Sequence, residues 1–522
     1  MDRRRCRFVL QPLDARPADP VRGAGASLVP GSRRVSAPRT ARIAVFNWRD
    51  RRHPAAGGAE LYCERVAREL ASDGHAVTLV TSRPSGTPAR EVVDGYAVRR
   101  MGSWMTVYPL AMAWLLRHRR QVDGVVDSAN GIPFFTPVVA GDTPVVLLVH
   151  HVHQDLFTRS FPRVAARFAA WLEGPATRRV YGRRNVVVLS PSTRKAVRRR
   201  LHLRGPVRVV PGGADTQDVA SAAAPRPRVV VVGRLSPYKR LDTLLSAVAR
   251  VVPAHPGLEL HLVGDGTDRQ RLERLAAELS APVVFHGRLS DADRDAVLAS
   301  AWLSVSASDG GDWSLSLLEA NAAGVPALAR RATGARDTVR HGETGWLVDD
   351  STVDGADSVA VLATALDRAL AELADPATAE RLRSGARAWA RRFTWRRTAD
   401  GVLAALVSEH ERTSRSWGRP ERRAANDVSV VVDLPRAVLP EGWRPDATSR
   451  RGDRWLVQDD RVRALLPGAD EVDALGLLSR LDVDAHDPSI SLLVARHADV
   501  VDLTSTAARP AQPHRPGGLD VA

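Results

Sequence analysis

Short runs of Val, Leu and Ile alternate with amphipathic stretches along most of the chain, in two series. The first begins at Arg42-Ile-Ala-Val-Phe46. The stretch after it carries Tyr62, Val66 and Leu70 at i, i+4 spacing, the apolar face of a helix. Gly74-His75 ends that helix before the run Ala76–Val80, and Gly124–Val126, Val145–Val149 and Val186–Leu189 continue the pattern. Runs this uniformly apolar need cover on both faces, so the alternation predicts a parallel sheet wrapped by helices. The second series starts near Arg228, with strands predicted at Val229–Val232, Leu258–Val263, Val283–Phe285, Leu303–Ser306 and Pro326–Leu328. Helices are predicted between them at Leu241–Val252, Asp268–Leu279 and Asp291–Ser300. Ala222-Ala-Ala-Pro-Arg-Pro227 reads as the linker. Two Rossmann-like α/β domains, 41–221 and 222–412, enclose a ligand cleft.

Residues 1–40 hold nine Arg and three Asp without periodicity and read as a disordered basic tail. After a polar linker, 413–427, a small α/β module is expected over 428–505, with strands at Val428–Leu434 and Ser489–Val494 and a helix at Ala469–Leu481. Residues 506–522 are Pro-rich and read as a second loose tail. A hydrophobic fraction of 44% and a charged fraction of 26% exclude a wholly disordered or fibrous chain. No apolar run is long enough to cross a bilayer, and no signal-peptide core is present, so a cytoplasmic location is expected. Cys6 and Cys63 are the only cysteines, in keeping with a reducing compartment.

The net charge is +16, and all but two of the basic residues, Lys195 and Lys239, are arginine. Part of this excess is solvated surface. Between Arg159 and Arg208, however, fourteen cations meet one acid, Glu173. Phe161, Val164, Phe168 and Trp171 recur there at helical spacing beside Arg163 and Arg167. Two readings are open: the apolar face packs on the first domain, or it lies on an anionic bilayer. A nucleic acid is not the expected partner, because no aromatic interleaving or recognition motif accompanies the charge.

Gly57-Gly58-Ala59-Glu60 sits between a strand and its helix, where glycines admit a close approach and free N–H groups suit an anion. An ordinary tight turn explains the pair equally well. Gly233-Arg234-Leu-Ser-Pro-Tyr-Lys239-Arg240 follows a Val-rich strand and opens a helix, so Arg234 and Lys239 form a candidate diphosphate clamp. Gly264-Asp265-Gly266 is a bare G-x-G turn. Glu319, on a short helix after Leu303–Ser306, has a carboxylate that can accept both ribose hydroxyls, although taken alone an exposed helix acid explains it better. His150, His151 and His153 end the strand Val145–Val149; with Asp155 alone nearby, one histidine facing the cleft fits better than a metal site.

In order and spacing these motifs resemble the retaining GT-B glycosyltransferases of family 4, from about Ile43 to Trp395. The resemblance rests on Gly-Gly-Ala-Glu, G-R-L-x-x-x-K-R, the G-x-G, the segment ending L-L-E-A-N-A-A-G-V-P, and Gly342-Glu-Thr-Gly345-Trp-Leu-Val348. Phe393-Thr-Trp395 resembles the start of the family's closing helix, which crosses back to the first domain. The resemblance implies a nucleotide-diphosphate sugar donor, bound through Gly57, Gly58, Arg234, Lys239, Gly264, Trp313, Ser314, Leu315 and Glu319. It implies catalytic roles for His150, Arg234, Lys239 and Asp312, no metal or other cofactor, and an acceptor that is a glycan or lipid at the cell envelope. Peripheral contact with an anionic membrane follows from the same resemblance. The family's E-x7-E would put its first acid at Gly311, where none stands; Asp309 or Asp312 is the expected substitute. This departure keeps a second reading open, a weak or inactive nucleotide-sugar-binding protein.

Overall fold

The computed structural model describes residues 40–154, 157–158, 162–215, 223–308, 310, 313–332, 334–349, 356–414, 428–440, 442–445, 453–484, 487 and 489–496. The first sheet holds β1 (Arg42–Phe46), β2 (Ala76–Thr81), β3 (Arg90–Val93), β4 (Tyr96–Arg100), β5 (Gly124–Ala129), β6 (Val145–Val149), β7 (Val186–Val188) and β8 (Val207–Val209). Their order is β3-β4-β2-β1-β5-β6-β7-β8. Every neighbouring pair is parallel except β3–β4. That edge hairpin turns at Asp94-Gly95, both left-handed, with φ 46° and 86°. The apolar runs predicted the inner strands; the hairpin and β8 were not among them.

Helix α1 (Gly58–Ser72) buries Tyr62, Cys63, Val66, Ala67 and Leu70 against one side of this sheet. Helix α2 (Val107–His118) buries Val107, Ala111 and Leu115 on the other. The helix Trp395–Ser414 returns to the first domain, where Trp395, Ala399, Val402 and Leu406 share a core with Tyr62 and Val66. Its Glu409 is buried and accepts the amide N–H of Asn185 at 3.0 Å, with Arg184 and Arg412 beside it. A buried carboxylate is tolerated only when paired in this way, so the contact fixes the register of the returning helix.

The second sheet is fully parallel: β9 (Arg228–Val232), β10 (Glu259–Val263), β11 (Val283–Gly287), β12 (Leu303–Ser306), β13 (Ala327–Arg330) and β14 (Gly345–Val348). Its order is β11-β10-β9-β12-β13-β14. In both sheets the strand order reverses beside the first strand, between β1 and β5 and between β9 and β12. Loops at such reversals splay apart and leave a crevice at the carboxyl ends of the strands. The motif loops after β1 and β9 both lie at these points.

A third, antiparallel sheet of β15 (Val428–Pro435), β16 (Arg454–Val457), β17 (Arg461–Pro467) and β18 (Ser491–Arg496), with the helix Glu471–Arg480, forms a separate core. β16 and β17 were missed in the sequence because β16 is only four residues long and Arg461 and Arg463 interrupt the apolar pattern of β17. A buried Arg198–Asp470 pair at 2.6 Å joins this unit to the first domain. Among the described residues, no helix is long and apolar enough to cross a membrane.

Candidate active site

The start of α1 is held from below by Glu60. Its Oε2 accepts the Gly57 N–H at 2.6 Å, while Oε1 accepts from Arg49 Nε at 2.9 Å and Asn130 Nδ2 at 3.0 Å. One buried carboxylate therefore ties the loop after β1 to the loop after β5. Burial lowers the Arg49 pKa, opposed by Glu60 and reinforced by Arg234. Gly57 and Gly58 are exposed. A Cβ at Gly57 would stand 3.2 Å from Arg234 Nη2, and one at Gly58 would stand 3.3 Å from Leu315 Cδ1. Glycine here lets the second domain approach the helix start.

Arg234 projects from the loop after β9, and its Nη2 donates to the Ala55 carbonyl at 2.7 Å. Lys239 ends a short turn, Pro237–Lys239, with Nζ 5.3 Å from the Tyr238 ring. Among the described residues, neither cation is ion-paired to a carboxylate. Gly264, at φ 132°, backs this loop: a Cβ there would lie 2.0 Å from the Gly233 carbonyl oxygen. The G-x-G thus supports the Arg234 loop by close packing.

The helix Leu315–Ala322 opens at the domain boundary. Trp313 Nε1 donates to the Gly212 carbonyl at 3.0 Å, and the Ser314 amide donates to Thr338 Oγ1 at 3.2 Å. Leu315 is buried in the core that also holds Tyr62 and Trp395. Glu319 is half-buried on the same helix. Burial pushes its carboxyl up to about 7, with Asp295, Asp215 and Asp291 adding to the rise and Arg294 opposing it. Asp309, Gly311 and Asp312 lie outside the described residues.

Residues 215–389 match the sequence profile of Glycosyl transferases group 1, and residues 56–218 match that of Glycosyltransferase Family 4. The D-inositol 3-phosphate glycosyltransferase of Geodermatophilus obscurus is 31% identical over 408 residues, covering 68% of this chain and 86% of that protein. The chain belongs to the group 1 glycosyltransferases. The GDP-mannose-dependent alpha-(1-6)-phosphatidylinositol monomannoside mannosyltransferase of Mycobacterium tuberculosis is 29% identical over 349 residues, covering 61% of this glycosyltransferase and 88% of its own length. The GT-B fold is shared with sucrose-phosphate synthase of Thermosynechococcus elongatus at TM-score 0.59 and 24% identity, over 70% of this glycosyltransferase and 98% of that chain.

The glycosyltransferase treats its histidines differently. His150 is fully buried, with Nε2 2.9 Å from Ser128 Oγ and the ring edge-on to Tyr62. Asn47 Nδ2 donates to the Arg49 carbonyl at 2.8 Å, so its Oδ1 receives the Ser128 hydroxyl proton at 3.3 Å. Ser128 Oγ is thus shared between Asn47 Oδ1 and His150 Nε2, and the Cys63 thiol donates to it at 3.5 Å. His153 lies nearer the surface. Its Nδ1 faces the His151 carbonyl at 3.0 Å and Glu173 Oε1 at 3.4 Å, and its amide donates to the same Oε1 at 2.6 Å. Nδ1 therefore carries the proton, and Nε2 is the basic nitrogen.

Glu173, buried on the π-helical turn Leu172–Ala176, was not among the sequence-derived site residues. The signal was present: it is the lone acid among fourteen cations. Asp155 lies outside the described residues. The helix Arg163–Trp171 corrects one expectation, that its apolar face packs on the first domain. Ala166 and Ala169 make the packed face, while Val164, Phe168 and Trp171 are 83%, 60% and 52% exposed. Small residues face the core and large ones face outward, the reverse of a helix whose apolar side is fully used by its own domain. Phe161 lies outside the described residues.

Proposed function

We propose that this glycosyltransferase moves a hexosyl group from a nucleotide-diphosphate donor to an acceptor hydroxyl, with retention and without metal. The observation that carries the reading is the pair Arg234 and Lys239. Both stand on the loop at a strand-order reversal, Arg234 opposite the exposed Gly57 of α1, with no carboxylate neutralising them among the described residues. Two such cations bind the donor diphosphate and stabilise the charge that develops as it leaves. Glu319, ionised, accepts the ribose hydroxyls. The acceptor approaches on the face from which the diphosphate departs, and a phosphate oxygen takes its proton. Among the residues assigned to the sugar, His150 acts through its buried contacts; Asp309 or Asp312 supplies the acid absent at position 311.

The relatives' names point to phosphate-bearing polyol or lipid acceptors, and we extend that class to this enzyme. The exposed Val164, Phe168 and Trp171, flanked by Arg163 and Arg167, fit peripheral docking on an anionic bilayer. Incubating the full chain with a panel of nucleotide sugars and short-chain phosphoinositol acceptors, with mass-spectrometric detection, tests the reading. Nucleoside diphosphate released together with a glycosylated acceptor is expected. Donor binding without any transfer across the panel would contradict it.

A further inference from the structure

The hairpin β3–β4 sets Arg90 directly opposite Arg99 across an antiparallel register. Like charges at such a position repel. Among the described residues, neither guanidinium is ion-paired. The contrast with the next residue is sharp: Arg100 points to the opposite face of the strand, where Asp50 at 2.5 Å and Glu91 at 2.7 Å neutralise it. The strand therefore carries one compensated and one uncompensated arginine, and the uncompensated one faces a second.

Between this hairpin and α2 lies a cavity of about 340 Å³, lined by Ala89, Arg90, Arg99, Arg100, Met101, Leu110 and Trp114. Two cations form one wall and apolar side chains form the other. Just before α2, Trp104 and Met105 are 58% and 60% exposed. On the other face of the hairpin, the Arg100–Asp50 pair ties it to the loop that leads to Gly57.

We infer that this cavity binds a phosphate ester joined to an apolar body, with the phosphate between Arg90 and Arg99 and the apolar part against Trp114 and Leu110. Paired guanidiniums match phosphate oxygens through several parallel hydrogen bonds. An anion there removes the cross-strand repulsion, and an apolar neighbour fills the remaining wall. The site is separate from Arg234 and Lys239. Its use in catalysis rests on the acceptor half of the function proposed above; its binding chemistry does not.

Calorimetry on the full chain, without donor, tests the inference with hexyl phosphate, inorganic phosphate and hexyl glucoside as probes. Hexyl phosphate should bind best. Arg90→Gln/Arg99→Gln should weaken it at least tenfold without lowering the melting temperature, since a repulsion is removed. Trp114→Ala should weaken hexyl phosphate and leave inorganic phosphate unchanged. Arg234→Ala/Lys239→Ala should retain hexyl phosphate binding while losing nucleoside diphosphate, so the two sites fail independently. Equal hexyl phosphate affinity in wild type and the Arg90/Arg99 variant overturns the site. Inorganic phosphate binding as tightly as hexyl phosphate overturns the amphiphilic ligand.

Discussion

Arg234 of the second domain donates to the Ala55 carbonyl of the first at 2.7 Å, two residues before the glycines that open α1. The guanidinium that we assign to the donor diphosphate thus also closes the cleft. Removing it loses a charge and a bridge together. Arg234→Ala should lower turnover by about thirtyfold or more, since a lost charge–phosphate contact costs about 2–5 kcal/mol. Arg234→Lys should restore part of the diphosphate contact and little of the bridge. Steady-state kinetics with small-angle scattering separates the two effects: a more open free enzyme is expected for both variants, and unchanged scattering would assign the bridge no part in closure.

Glu319 titrates near 7 because it is half-buried among acids. Its folded value lies above the ordinary carboxyl value of 4.5, so the folded state holds the proton more tightly than the unfolded one. Stability therefore falls as pH rises from about 4.5 to about 7. Glu319→Gln should be more stable than wild type at pH 8, by roughly 1–2 kcal/mol after allowing for solvent screening, and similar at pH 4.5. Donor affinity should move the other way: weaker in the variant at pH 8, and weaker in wild type below pH 7, where the protonated carboxyl accepts poorly. Melting curves and donor titrations at both pH values check this. A variant that matches wild type in donor affinity at pH 8 would leave Glu319 without a ribose role.

Glu173 holds His153 by both its amide and its ring. Glu173→Ala strands a half-buried N–H, at a cost of about 1 kcal/mol that urea unfolding would register. Glu173→Gln keeps an acceptor for that amide and should unfold close to wild type. If the carboxylate also orients the ring for the reaction, this variant lowers kcat while KM for the donor stays fixed. An unchanged kcat restricts Glu173 to support of the loop.

The outward face of the helix Arg163–Trp171 makes a separate prediction. Replacing Val164, Phe168 and Trp171 by Ser should change stability little, since these side chains are exposed. It should abolish co-sedimentation with anionic vesicles, which in wild type should weaken with added salt. Equal recovery of wild type with anionic and neutral vesicles would exclude an electrostatic bilayer contact.

The inner parallel strands were legible because they are continuous apolar runs, and the clamp because one of two lysines stands in a strand–helix loop. The β3–β4 hairpin was not, although Asp94-Gly95 marks its turn: Arg90, Glu91, Arg99 and Arg100 interrupt the apolar pattern, and Asp50, which pairs with Arg100, lies far away in sequence. Glu60 stood in a motif read for its glycines, while its own carboxylate organises the loop. The orientation of the helix Arg163–Trp171 depends on which side meets the domain, and small Ala residues in the packed face hide that from an apolar count. The acids that raise Glu319 come from two separate segments, Asp215 and the helix that carries Asp291 and Asp295, and only the fold assembles them.

We assign the donor diphosphate to Arg234 and Lys239, without metal. Calorimetric titration of UDP and GDP into wild type and Lys239→Ala, in EDTA, tests it most directly. Wild type should bind at least one of the two without metal, and the variant should bind it at least thirtyfold more weakly while keeping the wild-type melting temperature. Binding that requires a divalent cation, or equal affinity in a folded Lys239→Ala, would contradict it.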